Sequence, residues 1–398
     1  MVPSLRKEFN KNFSKEKYEN FLTALNSKHP GAIDFRVAET PLFVDKDFKD
    51  KILSACESIV DVITQPNFLA ITKNAIPQEI KVPNENNFSH FIAFDFGICE
   101  NDKGQLEPQL IEMQGFPTMF CFQVLLDEMM KKNFVIPENY SAFFNGFNQQ
   151  SYLQLLKEIV VKNHPAENVV LLELFPHEQK TRIDFYCTQD YIGIPIVCLS
   201  ELIAEGKKLF YKNGDRKIEI KRIYNRIIFD ELHQQSAGMQ EKGKIFETDL
   251  DVEWVPHPNW FYRISKYTLP FIQHPYVPQT TFLDEIKELP TDLENYVLKP
   301  LFSFAGQGVV IDVKPEDINN VTDPHNWILQ RKVKYADVVE TPDIPAKAEI
   351  RIFYFWKDGE PRPVATFNLA RLSKGKMIGV RYNKDKEWVG ASHVYFEK

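Results

Sequence analysis

The sequence predicts a mixed α/β (α+β) fold in which a small parallel-sheet domain is joined to β-rich segments. Three observations carry this. Between about residues 160 and 260, short apolar strands alternate with helical stretches, the pattern of a parallel sheet crossed by helices. From Tyr296 onward the strand-forming segments YVLKP, GVVIDV, WILQRKV, AEIRIFYFW, PVATFNLARL and MIGVRYN dominate. Near the front, HFIAFDFGI and PQLIEMQ flank the turn-forming ENDKGQLEP and read as two strands lying side by side.

Taken in order, residues 1–50 begin helical and polar and turn extended at IDFRVAETPLFV. The stretch DKDFKDKILSACESIVDVITQ places Ile52, Cys56, Ile59, Val60 and Ile63 on one stripe, which predicts an amphipathic helix. After the two front strands, Pro117 ends the unit and TMFCFQVLLDEMMKK reads as helix. A helix over NGFNQQSYLQLLKEIVVKN, a buried strand at NVVLLELF and a helix over TRIDFYCTQDYIG ending at Gly193 follow. PIVCLSEL is another strand, LFYKNGDRKIEI a hairpin turning at Asn213-Gly214, and KRIYNRII a third strand of the parallel sheet. RISKYTLPFIQHP reads as a helix, and IFYFWKDGEPRPVATF as a hairpin with its turn at Asp358-Gly359.

Composition narrows the class. The 398 residues carry 43% hydrophobic and 26% charged side chains, those of a globular chain with a sizeable core. A net charge of −7 argues against a general nucleic-acid binder. Cys56, Cys99, Cys121, Cys187 and Cys198 form no CxxC pair, so reduced, mostly buried thiols are expected. The first residues lack the apolar core of a signal peptide, and no run approaches the length of a membrane span, so a cytoplasmic enzyme without nucleic-acid or membrane partners is expected.

Chemistry-bearing residues gather near both ends. Lys299 ends a strand, and Ser303, Gly306, Gln307 and Gly308 lie in the loop SFAGQGV behind it. A glycine-bearing loop lets backbone N–H groups approach phosphate oxygens while an ammonium neutralises charge. On their own, Gly306 and Gly308 fit a plain hairpin turn equally well. Their context, RISK at 263–266, then YVPQTTF, then YVLKPLFSFAGQGV, resembles the ATP-grasp family. The resemblance implies that Lys266 and Lys299 contact ATP phosphates under a closing glycine loop. It places the adenine-facing hinge at Gln330, Arg331 and Val333. The later AEIRIFYFW, NLARL and VRYN resemble the family's arginine-bearing strands, which makes Arg351, Arg371 and Arg381 candidates for the phosphate or a developing acyl phosphate. Guanidinium forks suit that work because each can grip two oxygens.

In that family the chain continues into a helix, a strand with a metal-binding Asp, and a Glu-x-Asn strand. Here those pieces stand at the front: the helix near 47–65, Asp95, and Glu112 with Gln114 in place of Asn. The resemblance is therefore to a circularly permuted ATP-grasp chain. It implies three parts: residues 1–130 as the displaced end of the ATP-grasp lobe, 131–262 as a Rossmann-like domain, and 263–398 as the small lobe with the start of the large one. Asp95, Glu112 and Gln114 would hold Mg²⁺, a hard cation that takes a few carboxylate oxygens and phosphates. Substrate contacts are expected at Arg226 and Asn225 in IKRIYNRIIFDEL and at Arg36 in FRVAETP. Arg226 can bind a carboxylate or pair with Asp230 or Glu231, and both readings stand.

The activity implied is ligation of a small-molecule or peptide carboxylate to an amine or thiol through an acyl phosphate, with ATP and Mg²⁺. Two rivals remain: an ATP-grasp phosphotransferase acting on a hydroxyl or partner group, and a non-catalytic nucleotide-binding protein. The sequence leaves the oligomeric state open.

Overall fold

The computed structural model describes residues 1–302, 308–375, 378, 383 and 385–398. The chain opens with helices α1 (Pro3–Asn12) and α2 (Lys15–Asn26), strand β1 (Leu42–Val44) and the long helix α3 (Lys46–Ile63). A helical turn α4 (Phe68–Ile71) leads to β2 (Phe91–Glu100) and β3 (Leu106–Gln114), then α5 (Phe120–Asn133), β4 (Tyr140–Ser141) and α6 (Gln149–Val161). The middle of the chain holds β5 (Val169–Glu173), α7 (Arg182–Ile192), β6 (Ile196–Cys198), β7 (Ile203–Glu205), β8 (Lys208–Asn213) and β9 (Arg216–Ile220). It continues through β10 (Arg222–Asn225), α8 (Phe229–His233), α9 (Ala237–Gly243), β11 (Glu253–Val255) and α10 (Trp260–Arg263). The last part supplies β12 (Thr280–Phe282), β13 (Tyr296–Pro300), β14 (Val310–Ile311), α11 (Pro315–Asn319) and β15 (Trp327–Arg331). It ends with β16 (Lys347–Phe355), β17 (Val364–Ser373), β18 (Gly390–Ser392) and β19 (Val394–Glu397).

The central element is a five-stranded sheet in the order β18-β17-β16-β2-β3. Late strand β16 pairs antiparallel with early strand β2, placing Arg351 opposite Asp95 and Glu349 opposite Gly97. On the other side of β2, Asp95 faces Glu112 of β3. Alternation along the strands then sorts the side chains. Ile92, Phe94, Phe96, Ile350, Ile352 and Tyr354 point to one face and share a core with α3 through Ile52, Cys56, Ile59 and Ile63. Helix α3 starts where the Asp45 carboxylate accepts the Phe48 N–H at 2.9 Å, an N-cap. On the opposite face, Phe91, Phe353, Phe355 and Phe367 pack with Phe120 and Val124 of α5. Further along that same face the residues become Asp95, Glu349, Arg351 and Arg371.

The middle of the chain forms the expected parallel sheet, ordered β11-β10-β5-β6, with every neighbouring pair parallel. Helix α7 ends at Gly193 with φ +87°, and the hairpin between β8 and β9 turns at Gly214 with φ +58°. Both are left-handed positions that favour glycine. Strands β12, β15, β13 and β14 make a four-stranded antiparallel sheet, a small lobe with its own core of Leu283, Leu293, Leu298, Val313 and Leu329. Chain ends meet a second time where β1 runs parallel to β19.

The hairpin after β16 turns at Asp358-Gly359 as expected: the Glu360 N–H donates to the Lys357 carbonyl at 3.1 Å, Gly359 has φ +86°, and the strands stop at Phe355 and resume at Val364. One local expectation changes. In RISKYTLPF only Arg263 is α-helical, as the last residue of α10, and Lys266–Phe271 is a 3₁₀ stretch containing Pro270, which cannot donate to a regular helix. The segment MIGVRYN falls largely outside the described residues. Among those described, no helix is long and apolar enough to cross a membrane, and all five cysteines are free and buried.

Candidate functional site

The charged end of the central sheet's α5 face is a platform built by strand register. Asp95 is almost fully buried, and both its carboxylate oxygens are engaged. Arg351 grips them in a fork, with Nη2 to Oδ2 at 2.6 Å, and Arg371 Nη2 reaches Oδ2 at 2.7 Å. Burial pushes the Asp95 carboxyl up, but the two guanidiniums more than reverse this and hold it below the usual range. Arg371 also donates to Glu349 Oε2 at 2.8 Å, while the Tyr335 hydroxyl donates to Glu349 Oε1. Burial raises the Glu349 carboxyl despite the Arg371 charge. Arg371, although itself desolvated, is held firmly protonated by Glu349 and Asp95.

The small lobe contributes the facing cations. Lys299, at the end of β13, points its ammonium at Gln330 Oε1 (2.5 Å) and at the Ile111 carbonyl (3.5 Å), next to Glu112. Burial lowers its pKa to about 8, against the attraction of Glu112. Lys266 begins its 3₁₀ segment, where burial lowers its pKa and Glu112 and Asp230 raise it. Glu112 is exposed and lies near both lysines. Gln114 donates its amide to the Phe116 carbonyl at 3.5 Å. Gly308, with φ +72°, lies against Pro300, which a Cβ would meet at 3.0 Å.

The structure thus brings Lys266, Lys299, Gln330, Glu112, Asp95, Arg351 and Arg371 into one neighbourhood, with Gln114 at its border. It does not do so for every expected residue. Asp95, expected to hold metal, is instead the shared counter-ion of two arginines, so its oxygens are already engaged. Arg331 turns outward, pairs with Asp292 at 2.6 Å and lies over the Tyr296 ring. It alternates with Gln330 along β15, and Gln330 faces inward. Val333 is half-buried in the connection after that strand. Asn225 folds onto its own turn, accepting the Ile227 N–H at 3.2 Å. Arg36 pairs with Glu39, whose other oxygen accepts the Trp388 N–H at the far sheet edge. Ser303, Gly306, Gln307 and Arg381 lie outside the described residues.

Arg226 sits apart from the phosphate-facing cations but is linked to the platform. Its guanidinium lies over the Phe116 and Phe185 rings at 5.5 and 5.3 Å and donates to the Thr118 carbonyl at 3.3 Å. The Thr118 hydroxyl in turn accepts from Arg351 at 3.0 Å. Arg226 makes no ion pair with Asp230 or Glu231. Around it, burial raises Glu173 to about 8 and Asp184 to about 6, while the Arg226 charge opposes both. Asp184 caps helix α5 through the Cys121 and Phe122 N–H groups, both at 2.9 Å.

Sequence reasoning missed three members. Glu349 was visible as the acid two residues before Arg351 on a strand, a spacing that puts both on one face. Thr118 and Tyr335 each matter through a hydrogen bond made in three dimensions, and Tyr335 gave no signal.

No family model and no curated protein matches this chain. Among solved structures, a glutathione synthetase like-effector from Globodera pallida, determined in apoform, is similar to it with a TM-score of 0.58 and 10% sequence identity. The similarity covers 95% of this chain and 96% of that one. At such identity the likeness is one of fold: a mixed α/β architecture with several sheets.

Proposed function

We propose that this chain is a circularly permuted ATP-grasp ligase that binds Mg-ATP between the small lobe and the charged end of the central sheet. The observation that carries the reading is the facing of Lys266 and Lys299 with Glu112, Arg351 and Arg371 across one cleft. The permuted order is supported by β16 pairing directly with β2, so that front strands complete a sheet begun by late ones. The division at 1–130, 131–262 and 263–398 is supported by the middle segment forming a hydrogen-bonded sheet of its own, which packs on the central sheet through Val169, Leu171 and Tyr224.

Bound Mg-ATP would supply a phosphoryl group to a substrate carboxylate, and an amine or thiol would then displace phosphate from the acyl phosphate. Lys266 and Lys299 neutralise phosphate charge in a half-buried setting where each charge counts for more than in water. Glu112 and the amide oxygen of Gln114 fit a hard divalent cation that keeps most of its contacts with phosphate and water. Asp95 holds Arg351 and Arg371 in fixed orientation, so the forks need not reorganise during transfer. Arg226, one residue removed from Arg351 through Thr118, marks the side on which the carboxylate substrate enters.

The test is a thermal shift with Mg-ATP, followed by a screen of carboxylate and amine pairs for ADP release with hydroxylamine as trap. Hydroxamate formation, absent in Glu112→Ala, is the expected result. Phosphorylated product without hydroxamate would identify a phosphotransferase instead. A Mg-ATP shift without turnover across the screen would favour a nucleotide-binding protein, and no shift at all would sink the reading.

A further inference from the structure

Beyond Gly97, β16 no longer runs beside β2, and the vacated slot is filled by a different piece of chain. Residues 334–336 take it: Glu100 N–H donates to the Lys334 carbonyl at 2.9 Å, Ala336 N–H donates to the Ile98 carbonyl at 3.0 Å, and Cys99 and Tyr335 form an antiparallel bridge. This piece comes directly from the small lobe. Strand β15 ends at Arg331, and Lys332 N–H is still bonded to the Asn295 carbonyl of that lobe at 2.8 Å. A few residues therefore connect the lobe that carries Lys299 to the edge of the platform strand.

Tyr335 is the residue of this connector that reaches the platform. Its ring lies over Gly97, where a Cβ would meet the ring carbon Cε1 at 2.7 Å. A side chain at position 97 would therefore push the ring away. The missing Cβ lets the hydroxyl bond to Glu349, whose other oxygen holds Arg371 at 2.8 Å. Arg371 in turn reaches Asp95 at 2.7 Å.

We infer that Tyr335 is a positioning residue that transmits the placement of the small lobe, through Glu349, to Arg371. The inference rests on the nucleotide reading above and adds how one lobe sets the other's arginine. Tyr335 touches neither phosphate nor metal. It fixes which way Glu349 faces, and Glu349 fixes where the Arg371 fork points. The nucleotide is thus read twice, by Lys299 directly and by Arg371 through the connector.

The consequence is measurable without knowing the other substrates. Arg371 serves the terminal phosphate, so loss of its placement should weaken Mg-ATP binding and spare Mg-ADP binding. In Tyr335→Phe, which keeps the ring and removes the hydroxyl, calorimetric titration should show Mg-ATP affinity falling about tenfold, the scale of a lost hydrogen bond to a charged group. Mg-ADP affinity should stay within about twofold. Gly97→Ala, which displaces the ring, should give the same selective loss, and combining it with Tyr335→Phe should add little further loss. Equal weakening of both nucleotides, or no change in either, would overturn the positioning role while leaving the nucleotide site standing. A wild-type chain that binds neither nucleotide would remove both the site and this role.

Discussion

The two halves of one sheet face are the instructive contrast in this molecule. Nearer α5, the face is Phe91, Phe353, Phe355 and Phe367, packed ring against ring: Phe91 meets Phe355 at 5.2 Å and Phe120 meets Phe353 at 5.0 Å. Two to four residues further along the same strands it is Asp95, Glu349, Arg351 and Arg371. The alternation is the same and the register is continuous. What changes is the neighbour of the sheet, from an apolar helix to the charged groups Glu112, Lys266 and Lys299. The lower half fixes the strands against each other by burial, and that rigidity lets the upper half hold four charges in fixed directions. The platform is accordingly core architecture carried one step beyond the core.

If that is right, breaking the halves should have different signatures. Phe353→Ala in the apolar half should cost about 3–5 kcal/mol of stability, because it opens a cavity among close-packed rings. Denaturant unfolding would show it as a lowered midpoint. Asp95→Ala in the charged half should cost about 3 kcal/mol, since it strands two guanidiniums without their shared carboxylate. A cost below about 1 kcal/mol would mean that the arginines relax into solvent and the platform is not rigid. Glu112→Ala should leave stability within about 0.5 kcal/mol, as an exposed cleft residue, yet remove Mg-dependent nucleotide binding.

The pH response sharpens the contrast between the two faces of the cleft. Burial holds the folded Lys299 ammonium at a pKa of about 8, below the ordinary 10.5 that the unfolded chain recovers. Between those values the unfolded chain holds more protons, so this group makes stability rise with pH across that window. Over the same window the ammonium facing phosphate is lost, so Mg-ATP affinity should fall as pH passes about 8. Arg371 keeps its charge throughout. Calorimetry at pH 7 and pH 9.5 should show the drop in wild type and not in Lys299→Met, which is weak at both. The smallest effect belongs to Arg331→Ala. An outward pair with Asp292 is worth about 0–1 kcal/mol, and nucleotide affinity should not move.

How much of this was legible in the sequence depends on whether a residue acts through pattern or through contact. The parallel sheet, the α3 stripe and the front strand pair follow from periodicity, which local sequence carries. Lys299, Glu112, Arg351 and Arg371 could be picked out through the resemblance of their segments to ATP-grasp motifs, not from strand pattern alone. The role of Asp95 could not, since its engagement depends on β16 arriving beside β2 from far along the chain. Gln330 and Arg331, both assigned to the hinge by resemblance, are neighbours in sequence and opposites in space, a difference that only the strand's pairing reveals. Tyr335 was invisible because its slot exists only where β16 leaves β2.

Arg351 and Asp95 are separated by 256 positions. At about 5–20 residues per second, a ribosome needs roughly ten to fifty seconds to deliver the second after the first. Throughout that interval β2 has an unpaired edge rich in phenylalanine and a carboxylate awaiting its cations. Nascent strands in that condition are prone to wrong pairing, so this protein should depend on chaperones during synthesis more heavily than its finished stability would suggest.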